Sequence, residues 1–98
     1  MAYTKKTVFR AVITEAAKIK DSPILVNLME AKSAELVNRG VYDGNVELTF
    51  DTEADGTIIA NNIRKWEDLA TAEEWRAYGI EHNSAYGINW VSFEILDI

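Results

Sequence analysis

The chain has no cysteine, and that absence removes disulfide staples, zinc-thiolate sites, iron-sulfur clusters and thiol catalysis together. Small secreted domains often lean on disulfides, so a reducing, cytoplasmic setting is expected. Long apolar runs are missing too: none approaches the roughly 18 residues a membrane helix needs, and no membrane association is expected. The basic segment Met1 to Arg10 is not followed by a continuous apolar stretch with a small-residue cleavage site, so it does not read as a signal peptide. Histidine is nearly absent. His82 stands alone, with no Ser or Cys nucleophile in a family context around it, and no catalytic triad can be assembled. The five glycines, Gly40, Gly44, Gly56, Gly79 and Gly87, are scattered, and none makes a loop that cradles phosphate.

What is present fits one domain over residues 1–98: 48% of the residues are hydrophobic, enough for a single core. A chain this short commits most of its large side chains to that core and leaves few for a deep pocket. The adjacent acids Glu67-Asp68 and Glu73-Glu74 point in different directions on a helix, so neither pair converges on one substrate. A binding protein is therefore expected, not an enzyme, with no cofactor and no assigned metal site.

Periodicity supplies the elements. Phe9, Val12, Ile13, Ala16 and Ile19 follow helical spacing, which predicts a helix over Thr7 to Lys20. Ser22 and Pro23 form an N-cap and first-turn signal for a second helix that stops at Gly40. The short linker between the two predicts an antiparallel helical hairpin. Val46 to Phe50 alternates as a strand, and Thr57 to Asn61 is its expected partner across a loop from Asp51 to Gly56. Asn62 to Gly79 returns to helical texture, with Thr71 and Glu74 read as a capping box that starts a helix over Ala72 to about His82. Asn83 to Gly87 reads as loop and Asn89 to Asp97 as a last strand. The expected class is α+β: an N-terminal antiparallel helical hairpin packed on a small, mainly antiparallel sheet of about three strands, in the order α-α-β-β-α-β.

Charge is distributed unevenly. Residues 1–40 carry seven Lys or Arg against four acids, a net of +3, whereas residues 41–98 carry three against twelve, a net of -9. An acidic half gathered on one face repels phosphate and attracts a basic protein surface. Aromatic residues rimmed by charge are enriched among interface anchors. The expected partner-binding residues are Asp51, Glu53, Asp55, Glu67, Asp68 and Glu73, with Trp66 and Tyr86. The expected partner is a protein with a basic surface, one that itself holds nucleic acid being the suggested case; no direct nucleic-acid contact is expected. Two alternatives stand beside this one. The first is an assembly subunit that forms a homo-oligomer. The second, weaker, is a calcium-binding module: Asp51-Thr52-Glu53-Ala54-Asp55-Gly56-Thr57-Ile58 resembles the opening of an EF-hand loop, with oxygen ligands at its first, third and fifth places, Gly at the sixth and Ile at the eighth. Its twelfth place is Asn62 instead of the bidentate Glu, and Val46 to Phe50 reads as a strand where an entering helix is required. In size, acidity and lack of cysteine the chain has the general look of small phage-encoded inhibitors of host or defence proteins.

Overall fold

The computed structural model describes residues 2–98. Its elements are β1 (Lys5–Val12), α1 (Ile13–Lys20), α2 (Pro23–Asn38), β2 (Glu47–Thr52), β3 (Ile58–Trp66), α3 (Leu69–Ala85) and β4 (Ser92–Asp97). The expectation of a leading helical hairpin on about three strands is overturned, because a strand comes first and the sheet has four strands. The helical spacing from Phe9 to Ile19 straddles a strand-helix junction. Thr7, Phe9 and Ala11 alternate inward as a strand does, and only from Ile13 onward does the chain coil. The helical hairpin itself is present as α1 and α2, inserted after β1. Among the described residues no helix is long and apolar enough to cross a membrane.

The strands are ordered β2-β3-β1-β4, and every pairing is antiparallel. Each crossover, from β1 to β2 through the helical pair and from β3 to β4 through α3, skips one strand. Two such interlocked crossovers make the split β-α-β, ferredoxin-like arrangement, here with a helical hairpin in the place of the first helix. That arrangement hosts many unrelated activities, so the site, not the topology, must carry any functional reading.

The register fixes which face meets the helices. Phe9 is level with both Phe93 and Asn62, and Asn62 with Leu48, so these four point to one side. Phe9, Ala11, Trp66 and Phe93 form a single core with Leu36 of α2 and with Ala72 and Trp75 of α3, and Ala16 and Ile19 of α1 pack against it. All three helices therefore cover the same face. The other face bears Arg10, Asn61 and Asp51, joined by hydrogen bonds: Arg10 Nε donates to Asn61 Oδ1 at 2.9 Å, and Asn61 Nδ2 donates to Asp51 at 2.9 Å. That network explains a buried asparagine within the strand, which runs on through Asn62 to Trp66, where sequence texture suggests a helix.

Local signals terminate the helices. Ser22 Oγ accepts the Leu25 N-H, and Pro23 occupies the first turn of α2, as expected. At the other end Gly40, with φ of 76°, lets its own N-H and that of Val41 reach back to the carbonyls of Val37 and Leu36, which closes a Schellman motif. The start of α3 differs from expectation. Asp68 is the N-cap, accepting both the N-H and the hydroxyl of Thr71, and these bonds hold its carboxyl below the ordinary range.

Glu74, read from sequence as the partner of Thr71 in a capping box, instead ties α3 to α2. It accepts from Arg39 Nη1 and Lys32 Nζ, each at 2.7 Å, and these cations hold its carboxyl down from 4.5 to about 2. A carboxyl lowered by folding contributes stability above its unfolded value, and this contribution is lost as pH falls through the folded one. The window here runs from about pH 4.5 down to 2. Water screens a network this open, so its worth is about 1 kcal/mol. Glu74→Gln should lower the unfolding free energy by about 1 kcal/mol near pH 7. In urea titrations the gap between the proteins should close as the pH nears about 2; a gap independent of pH contradicts this assignment.

Candidate functional site

Two features stand out from the rest of the surface: strand β2 with its hairpin tip, and a cleft beside it. β2 is an edge strand that pairs only with β3, and all six of its residues are exposed. Its helix-side row continues from Val46 into Leu48 and Phe50, which are 49%, 54% and 55% exposed. Its other row holds Glu47, Thr49 and Asp51. A sheet edge of this kind is usually defended by lysine, proline or a bulge, and Glu-Leu-Thr-Phe-Asp-Thr has none of these residues and pairs residue for residue with β3. The turn beyond it is closed by the Gly56 N-H donating to the Glu53 carbonyl at 3.0 Å, with Gly56 at a φ of 89° that a side chain would strain.

The expected acidic residues fall into two groups. Asp51, Glu53 and Asp55 lie together along the end of β2 and the tip of the hairpin. Glu67 and Asp68 follow the far end of β3, and Glu73 is exposed in the first turns of α3. Nine residues of strand separate the two groups, a length of about 27 Å at roughly 3.4 Å per residue. Several carboxylates are also interleaved with bases from the first half of the chain: Arg10 meets Asp51 at 3.3 Å, Lys5 meets Asp97, and Lys32 and Arg39 meet Glu74. Trp66 offers no surface at all, since it is 0% exposed between Tyr42 and Trp75. Tyr86 is exposed just beyond α3, away from the hairpin in sequence and element.

The EF-hand-like stretch is a β-hairpin. Asp51 belongs to β2 and points to Arg10 and Asn61, while Asp55 accepts the Thr57 N-H at 2.9 Å, a bond that lowers its pKa. Among the described residues no group of three or more His, Asp or Glu is arranged to hold a metal ion.

The cleft, of about 450 Å³, lies between α1 and α3 on the helix side of the sheet and opens along Leu48 and Phe50. Its existence departs from the expectation that so short a chain spares no pocket. The reason is local. Gly79 lets α3 sit so close to β4 that an added Cβ would lie 2.8 Å from the Phe93 ring, while β2 reaches out past α1 with nothing over it. Trp75, Gly79 and Asn83, spaced at i, i+4 and i+8, line one wall and Phe9 the floor.

Two polar side chains in this apolar setting each carry a buried atom without a hydrogen-bond partner. Arg64 lies on the helix side of β3, its guanidinium carbon 4.6 Å from the centre of the Trp75 ring, and its buried Nε makes no hydrogen bond. Burial lowers its pKa from the usual arginine value, with the Tyr42 hydroxyl a partial counterweight, yet the group remains a cation near neutral pH. Asn83, 4% exposed, holds an Oδ1 that is likewise unbonded. Neither residue stands out in the sequence. An arginine inside an alternating strand is the one local signal that was available.

No protein-family model matches this chain, and no curated protein matches it.

Proposed function

We propose that this chain is a non-catalytic protein-binding domain that recognises an extended, basic segment of another protein along the free edge of β2, with the acidic hairpin tip steering the encounter. The observation that carries this reading is the full exposure of an undefended edge strand with an apolar row on one side and carboxylates on the other. Added strands gain main-chain hydrogen bonds for affinity and side-chain pockets at alternate positions for specificity. Leu48 and Phe50 offer the apolar contacts; Glu47, Asp51, Glu53 and Asp55 offer the sign of charge. Of the acids expected from sequence to bind a partner, only the hairpin group belongs to this surface. An inhibitor that covers the basic surface of a nucleic-acid-binding protein is the biological role this size and charge fit.

Charge also argues against a second copy as the occupant. Antiparallel self-pairing of β2 about Thr49 sets Glu47 opposite Asp51, and like charges directly across a pair of strands are destabilising. A lysine- or arginine-bearing strand reverses that sign.

Because Asp51 already serves Arg10 and Asn61, the test belongs on the tip. Glu53→Lys with Asp55→Lys should leave the melting temperature within a few degrees of the wild type. The pair should weaken binding to the purified partner at least about tenfold at low salt, with most of the difference removed at high salt. Affinity unchanged by the double reversal at low salt counts against the hairpin as the docking element.

A further inference from the structure

The cleft beside β2 has a charge pattern opposite to that of the whole protein. The chain carries 16 acids against 10 bases, yet among the described residues the cleft is lined by no acid and by two cations, Arg64 within and Lys20. Arg64 forms no ion pair with any described residue, whereas Arg10, Arg39, Lys5, Lys18 and Lys32 all do. Arg64 lines the cleft with its guanidinium carbon 4.6 Å from the centre of the Trp75 ring and its buried Nε without a hydrogen bond, and arginine presents its donors as a fork that matches a carboxylate. The remainder of the lining is mainly apolar, from Phe9 and Phe93 to Ile13 and Met29. At about 450 Å³ the space falls in the range of small-molecule sites, which runs from roughly 300 to 1,000 Å³.

We propose that this cleft binds a small amphipathic carboxylate, whose head group pairs with Arg64 and whose apolar body lies between α1 and α3 over Phe9 and Phe93. A single negative charge balances the one inner cation. A phosphate dianion leaves excess charge in an apolar cleft, where an uncompensated charge is costly. Along α3, Trp75 and Asn83 are eight residues apart, about 12 Å at 1.5 Å per residue, so the cleft has an anionic-ligand end and a distant end where the unbonded Asn83 oxygen accepts from a donor on the ligand. The cleft shares Leu48 and Phe50 with the proposed docking edge, but its test rests on Arg64 and that of the edge on Glu53 and Asp55, so either can fail alone.

Decanoate, decanol and decyl phosphate are suitable probes, titrated calorimetrically at submicellar concentration. Decanoate should bind the wild type at least about tenfold more tightly than decanol, since only the former makes the charge-assisted pair. Arg64→Gln should erase that preference while leaving decanol affinity within about twofold. Equal affinity of decanoate and decanol for the wild type, or no binding of either, overturns the proposal without reliance on any variant. A preference retained by Arg64→Gln, or tighter binding of decyl phosphate than of decanoate, overturns it as well.

Discussion

Trp66→Ala should destabilise the protein by about 3–5 kcal/mol, a large part of the 5–15 kcal/mol typical of a domain. Trp66 ends β3 and is fully buried, stacked on Tyr42 at 4.3 Å between ring centres and 5.5 Å from Trp75, so truncation opens a void between rings that cannot collapse together easily. Its Nε1 donates to Thr7 Oγ1 at 3.0 Å, and both groups are buried. Removing the indole leaves that hydroxyl without its donor, which adds about 1–3 kcal/mol to the cost of lost packing unless the hydroxyl finds another partner. Trp66→Phe keeps most of the ring contact and loses the hydrogen bond, so it should cost less than half as much as alanine. Urea unfolding checks both values, and a loss below about 1 kcal/mol for Trp66→Ala contradicts a core centred on this ring.

Gly79→Leu should also destabilise the protein, by about 1–2 kcal/mol net, even though glycine is a poor helix residue and leucine a good one. Relief of the glycine's conformational cost returns about 1 kcal/mol. Against this, even the first added carbon would lie 2.8 Å from the Phe93 ring, and the branched remainder has only that ring and the cleft to enter. Overpacking of this kind costs about 1–3 kcal/mol or somewhat more, and the net is a loss. The displaced Phe93 ring should also narrow the cleft, so decanoate affinity should fall with stability. Thermal melting checks the first effect and calorimetry the second; a melting temperature above that of the wild type means that α3 does not sit as close to β4 as described.

The parts of the fold legible in the sequence were those set by neighbours along the chain. α2 could be read from Ser22-Pro23 to Gly40 because a cap, a first-turn proline and a left-handed glycine act within a few residues of the helix ends. The β2–β3 turn at Gly56 was legible for the same reason. β1 was not, because its helical-looking spacing joins two elements, and its strand character depends on pairing with β3 and β4, 47 to 92 residues away. The second half of β3 was hidden by its polar residues. Asn62 to Trp66 has helical texture, and Arg64 is stabilised in the strand by the face of Trp75, a partner supplied only by the packing of α3. At α3 two cap signals overlap. Asp68 and Thr71 satisfy each other, which frees Glu74 for Arg39 and Lys32 across the helix pair.

The candidate site was legible only in part. The acidity of Asp51, Glu53 and Asp55 is visible in the sequence, but the alternation of Val46 to Phe50 shows only a half-buried strand and does not say that it lies at an edge. Likewise Trp66 was read as a surface anchor when it is the centre of the core. The cleft left no local trace, since it arises from one glycine that brings α3 down and one strand that extends beyond its cover.

The most direct test of β2 as the recognition edge is a titration of the ¹⁵N-labelled protein with two synthetic extended peptides, one alternating valine with lysine and the other valine with glutamate, followed by amide chemical shifts. Changes confined to residues 46–57 for the lysine peptide, diminished by salt and absent for the glutamate peptide, are the predicted result. Shifts centred on β4 or on the helices, or equal responses to both peptides, would contradict it.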